Sequence, residues 1–165
     1  MPRPTQIANV DPRVARLLAD MPLAGALSEG DRAKLARIAT LEDRPVGVTI
    51  FREGDASAAV YLIAEGLLSL SMRLPGRPEA MLLTLGPGEL AGWSALTSGA
   101  VVAATGRVVE RVVLMRLPRD ELLALCEQDH DIGYAVMHLA LGEVARRLQE
   151  TRLQLLDMFA AQHPS

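Results

Sequence analysis

The sequence predicts a mainly β domain, a sandwich or barrel of short strands, with helices at its start and one long helix at its end. Three observations carry this. Between about residues 41 and 117, short apolar or β-branched runs (VTIF, AVYLIAEG, LLSLSMR, AMLLTL, GAVVAATGRVV, RVVLMRL) alternate with Gly- and Pro-bearing breaks, the pattern of an all-β body. On either side the apolar period changes from that of strands to that of helices. Downstream of about Asp131 the helical period runs unbroken for more than three heptads. The chain of 165 residues has room for one domain with a real core and not for two full ones. The expected organisation is therefore helices over 1–40, a β body over 41–118 and a short plus a long helix over 119–165, all in one structural domain.

Each element has its local reason. In DPRVARLLADM, Val14, Leu17 and Leu18 recur at helical spacing, and Leu35 and Ile38 do so in the next helix. Ser28 before EGD is a natural N-cap for that second helix. In the β zone, Pro75-Gly76 within LPGRPEA presets a hairpin turn after LSLSMR. Pro118 opens a short helix, PRDELLALCEQD, with Asp120 and Glu121 in its first turn. In the last helix, Tyr134, Met137, Leu141, Val144, Leu148, Thr151, Leu155 and Met158 follow a 3-4-3-4 spacing, an a/d seam that is apolar except for Thr151. A second row, Ile132, Val136, Leu139 and Ala140, faces the β body. A helix of some thirty residues is about 45 Å long at 1.5 Å per residue, more than a domain this small can cover. The seam is thus expected to pair with a second copy as a homodimer. Arg146 and Arg147 lie off it and read as a solvated face.

Composition excludes several classes. Half of the residues are hydrophobic and 22% are charged, as in folded globular chains. A net charge of −3 gives no global attraction to nucleic acid or anionic membrane. With one Cys there is no internal disulfide and no four-Cys cluster. The opening MPRPTQIANVDPR lacks the apolar stretch of a signal peptide, and no run has the ~20 apolar residues of a membrane span; the expected location is the cytoplasm. His130, His138 and His163 lie outside the β zone, so a metal site inside it has no imidazole ligands, although His130 and His138 share one helix face that could approach a haem. Gly92-Trp93-Ser94-Ala95-Leu96 lacks the second Gly and the strand–helix alternation of a nucleophile elbow. Cys126 reads as a core thiol at a helix end.

The segment GELAGWSALTSGAVVAATG, residues 88–106, is glycine-rich like a ligand cradle, yet it holds no Arg, Lys or His and only one acid, Glu89. Here a resemblance becomes visible. EGDASAAVYLIAEGLLSL carries Gly54, Asp55, Tyr61, Ile63 and Gly66, and LGPGELAGWSAL carries Leu85, Gly88, Gly92 and Leu96, in the pattern of a cyclic-nucleotide-binding domain. ARRLQET, from Ala145 to Thr151, resembles the central helix of the Crp/Fnr (catabolite-activator-like) group. The resemblance implies an eight-strand, jelly-roll-like β-roll (a double-stranded β-helix), with Gly54, Gly66 and Gly88 at its sharp turns, followed by a long C-terminal dimerisation helix. It also implies a nucleotide inside the roll: backbone amides at the start of a short helix hold the phosphate, an Arg closes its charge, a Glu binds the ribose 2′-hydroxyl, and a Thr of the central helix reaches the base.

This chain departs from that pattern at the charged positions. Trp93 stands where the resemblance implies the Glu, and Val102 where it implies the Arg. Losing a buried bidentate charge partner costs on the order of 2–5 kcal/mol, and losing the ribose acceptor adds roughly 1–3 kcal/mol. Cyclic AMP and cyclic GMP are thus doubtful ligands, and no cofactor is implied with certainty. The candidate ligand-binding residues are Gly92, Trp93, Ser94, Ala95, Leu96, Val102, Ala103, Ala104 and Thr151, with Leu83 as a further wall. Amides near Ser94 and Ala95 remain candidates for an anion. Trp93 either plugs the emptied pocket or stacks on an uncharged or planar molecule; Thr151 either reaches a ligand or sets register in the seam. Crp/Fnr regulators continue past the long helix into a helix-turn-helix, whereas this chain ends at FAAQHPS. Direct DNA binding is not expected, and the downstream partner is an unknown protein. The expected function is a non-catalytic sensor that binds a non-standard small ligand and signals through a dimer. A ligand-free dimerisation or docking module is the alternative, as is a divergent cyclic-nucleotide binder using, for instance, Arg107.

Overall fold

The computed structural model describes residues 10–98 and 101–162; His163 lies outside them. The chain runs through α1 (Pro12–Ala19), a 3-10 turn (Pro22–Ala26), α2 (Glu29–Ile38), β1 (Thr40–Arg44), β2 (Thr49–Phe51), β3 (Ala59–Met72) and β4 (Ala80–Leu85). It continues through β5 (Leu90–Ala91), a second 3-10 turn (Trp93–Leu96), β6 (Thr105–Pro118), α3 (Arg119–Gln128) and α4 (His130–Gln162). The helix starts follow their caps. Asp11 accepts from the Arg13 amide at 2.8 Å and Ser28 from the Asp31 amide at 3.1 Å, and Pro118 precedes α3 with Asp120 and Glu121 in its first turn.

The strands form one antiparallel sheet in the order β1-β6-β3-β4, with β2 on β6 and β5 on β3. Six strands are found among the described residues where eight were expected. The cause is that the runs AVYLIAEG and LLSLSMR are one strand, β3, and that β6 likewise joins two runs. The first half of β3 pairs β5 and the end of β6, and its second half pairs β4 and the start of β6. Counting each half of β3 and β6 separately recovers the eight. The register shifts between Ile63 and Leu68 mark the bend that joins the halves. Gly66 makes it possible: at φ +81°, a Cβ there would lie 1.9 Å from the Arg111 carbonyl oxygen. β1 was not anticipated, because TLEDR is polar and has no apolar alternation; it is held by pairing with Arg116 to Val112 of β6.

Alternation along β3 divides the buried side chains between two cores. Val60 and Leu62 face the helices, joining Val14, Leu18, Leu35, Met115, Leu122, Ile132 and Val136. Ala59, Tyr61 and Ile63 face the roll interior with Leu68, Leu85, Val108, Val112 and Leu114. The inner row of α4 behaves as its period requires: Ile132, Val136 and Ala140 are buried and Leu139 packs at their edge. The opposite ridge has no covering among the described residues. Tyr134 is 71% exposed and Leu141 67%, with Met137, Leu148, Leu155 and Met158 also open to solvent. Val144 is half-buried.

Candidate functional site

The cradle is built by backbone first. Gly92 takes φ +73°, and a Cβ on it would come within 2.8 Å of the Ala59 carbonyl oxygen. Only glycine lets the chain turn there from β5 into the short 3-10 turn. The facing loop is latched by two backbone bonds, Gly54 N–H to Val102 O at 2.9 Å and Val102 N–H to Asp55 O at 2.8 Å. The Ser57 and Ser94 hydroxyls, both buried, meet at 3.1 Å. These contacts hold Val102, itself buried, against the turn.

Six of the nine candidate ligand residues gather here. Gly92, Trp93, Ser94, Val102, Ala103 and Ala104 line a space of only about 40 Å³, together with Phe51, Leu70 and Arg147. A second space of about 140 Å³ shares Phe51, Gly92 and Val102 as walls and is otherwise bounded by Ile50, Asp55 to Ala59 and Tyr61. The structure assigns the remaining candidates elsewhere. Ala95 is fully buried in the helix-side core and Leu96 packs beside it. The Ala95 amide is occupied within the turn, donating to Gly92 O at 3.0 Å, which removes it as an anion contact. Leu83 packs on the roll core and does not border either space. Thr151 is exposed on α4, and its hydroxyl donates to the Arg147 carbonyl one turn back at 2.9 Å. Arg107 is exposed on β6, opposite Thr49 and Ser69, and does not reach the interior.

Arg147 is the correction of most consequence. Read as part of a solvated face, it instead has a side chain only 14% exposed. It donates from Nη2 to the Leu90 carbonyl at the head of the cradle. Glu143, also part-buried, lies 3.5 Å away. Burial pushes the guanidinium below its ordinary value while Glu143 pulls it up; it stays charged, as arginine does in proteins. Its Nε is buried and has no hydrogen-bond partner. Arg146 is likewise not free: it binds Glu89 of the cradle, Glu143 at 3.0 Å and Glu150 at 2.7 Å. Glu89 in turn accepts from the Gly86 amide at 2.6 Å. The two arginines thus tie α4 to the start of β5, at Glu89 and Leu90. A sequence signal for this existed: the inner row Ile132, Val136, Ala140 continues at steps of three and four to Glu143 and Arg147.

A glycine-cradled turn under a bent antiparallel roll, closed by a long helix, is the architecture that the motifs implied. The Cyclic nucleotide-binding domain family matches residues 43–129. The chain belongs to this family. It is 37% identical over 111 residues to the Cyclic AMP receptor protein of Thermus thermophilus, a match covering 67% of this chain and about half, 50%, of that protein. The crystal structure of Thermus thermophilus catabolite activator protein superposes with a TM-score of 0.68 at 32% identity, over 84% of this chain and 63% of that one. A cyclic nucleotide-binding domain from Methylobacillus flagellatus KT has a TM-score of 0.76 at 19% identity, over 88% and 82% of the two chains, and supports the fold alone.

The two described histidines, His130 and His138, stay apart from the site. His138 stacks on Tyr134, ring centroids 5.8 Å apart, and His130 borders a groove between α3 and α4 with Cys126. Among the described residues no helix is long and apolar enough to cross a membrane.

Proposed function

We propose that the domain is the non-catalytic, effector-receiving part of a regulator, in which the roll no longer reads cyclic nucleotides and α4 passes the state of the roll to a second copy. The observation that carries this is that Trp93 and Val102, which stand where the resemblance implies the nucleotide's charged partners, close around only about 40 Å³ of space. Neither this space nor its 140 Å³ neighbour reaches the roughly 300 Å³ at which pockets for drug-sized ligands begin. The exposed ridge Tyr134, Met137, Leu141, Leu148, Leu155 and Met158, with half-buried Val144, supports a homodimer through α4.

Isothermal titration tests the reading. Neither cyclic AMP nor cyclic GMP should give heat of binding below about millimolar concentration, the affinity left after losing both contacts. The double substitution Trp93→Glu with Val102→Arg should restore measurable affinity, since it returns the ribose acceptor and the phosphate's charge partner that the resemblance implies. Micromolar binding of either nucleotide by the unmodified protein would overturn the proposal.

A second reading, a ligand-free dimerisation or docking module, is favoured by the ties of Arg146 to Glu89 and Arg147 to Leu90, which join helix to roll with no effector. Native mass spectrometry of protein taken from its own cells separates the two: a co-purified small molecule favours the sensor, and bare chain masses favour the module.

A further inference from the structure

A larger space than either of those inside the roll lies outside it. About 590 Å³ in volume, it opens between α1, the first 3-10 turn, the bend of β3 and the turn that leads into β5. It shares no lining residue with the two spaces in the roll, and its size is that of a small-molecule site, roughly 300–1,000 Å³. Four ionisable side chains line it: Arg13, Arg16 and Asp20 from α1 and its C-terminal end, and Glu65 from β3. None of the four forms an ion pair with another described residue. Arg16 and Asp20 stand four apart on one helix face, the spacing at which such pairs form, and still they stay apart.

The order of these charges sets the chemistry. Arg13 and Arg16 lie one turn apart on the same face of α1, and Asp20 follows one turn beyond Arg16. With a rise of 1.5 Å per residue, the midpoint of the two arginines is about 8 Å from Asp20 along the axis. Leu17, half-buried, and Met21, buried, add apolar wall beside them. A lone anion is drawn to the arginines and repelled by the two carboxylates, and a lone cation meets the reverse. A molecule that carries both charges at matching spacing gains at each end. We propose that this cleft binds a net-neutral chain molecule with a carboxylate and an ammonium group about 8 Å apart. The carboxylate meets Arg13 and Arg16, the ammonium meets Asp20 and Glu65, and the aliphatic stretch lies over Leu17 and Met21. The site is independent of whatever the roll interior holds.

The test uses 6-aminohexanoate, whose extended chain sets its two charges at about this spacing. Titrated into ¹⁵N-labelled protein at about 20 mM salt, where surface charges are weakly screened, it should move the backbone amide signals of Arg13, Arg16, Asp20 and Glu65 saturably. The midpoint should be on the order of 10 mM, in line with the efficiency of a small ligand at an open site. Hexanoate and hexylamine each keep one charge, and 3-aminopropanoate holds its two charges too close together. All three should bind at least roughly threefold more weakly, the modest step that an exposed pair supplies. Arg13→Gln with Arg16→Gln should bring 6-aminohexanoate down to the level of hexylamine, and Asp20→Asn with Glu65→Gln to that of hexanoate. All four side chains are exposed, so these variants keep the fold. About 0.3 M salt should remove the preference. Equal binding of the four compounds, tighter binding of either single-charge compound, no saturable shift at these amides, or a preference untouched by both double variants would each overturn the inference.

Discussion

The interior of the roll and the outer ridge of α4 are both lined by apolar side chains, yet they end in opposite situations. Around Val102 and Trp93 the chain closes on itself, using two backbone latches and a glycine turn to leave about 40 Å³. Along Leu141, Leu148 and Leu155 none of the described residues closes over the ridge. The lesson concerns where the binding energy is still available. A pocket already filled by its own residues has little left to gain from a large ligand, whereas an open ridge gains roughly 25 cal/mol for each Å² it hides. In this molecule the helix has more to gain from a partner than the roll has from a nucleotide.

The largest expected effect lies on the closed side. Gly66→Ala would drive a methyl group to 1.9 Å from the Arg111 carbonyl oxygen at φ +81°. Strain and overpacking together should cost at least about 3 kcal/mol. Urea denaturation should show a strongly lowered midpoint or no folded baseline; a change within about 0.5 kcal/mol, the usual surface value, would mean that β3 does not bend where the structure places it.

Next comes the open side. Leu148→Arg puts a charge in the middle of the ridge, where its desolvation on pairing is prohibitive. Sedimentation should find the wild type dimeric and the variant monomeric, with circular dichroism unchanged, because Leu148 is half exposed and belongs to neither core. A wild type that is monomeric at tens of micromolar would remove the contrast between the two regions.

How much of this was legible follows the same division. Apart from Gly66, the turn glycines, the helix caps and the two rows of α4 are periodic or local signals, and they lie where the sequence places them. β1 was hidden because Thr40–Arg44 is stabilised by its neighbour β6 and not by any pattern of its own. The single long β3 was hidden because Gly66 looks like a turn residue, yet it serves as a bend within a continuous ladder. Arg147 was misjudged for a physical reason: long charged side chains usually reach water, and only the extension of the inner row shows that this one starts from the buried side of the helix. Ala95 and Leu96 looked like cradle residues by position, but a 3-10 turn of four residues points part of itself into the core.

The smallest expected effect sits at the joint between the two regions, where α4 leaves the body. Asp129 pairs with Lys34 of α2 and also caps α4, accepting from the Asp131 and Ile132 amides at 3.2 and 3.4 Å. The hydrogen bond from Lys34, more than the caps, holds the Asp129 carboxyl below its ordinary 3.8, and the same bond raises Lys34 above 10.5. The depressed acid contributes stability that is complete above its ordinary value and lost as the pH falls through the depressed one. The raised lysine contributes stability that is complete below 10.5 and lost as the pH rises through the raised value. Asp129→Asn keeps a capping side chain of nearly equal quality and removes only the charge. Its Tm should therefore lie slightly below that of the wild type at neutral pH, and the gap should close both toward about pH 2 and in about 1 M salt, where exposed pairs are screened. A gap that survives acid and salt alike would assign the effect to the cap, and would make the joint a matter of backbone geometry instead of charge.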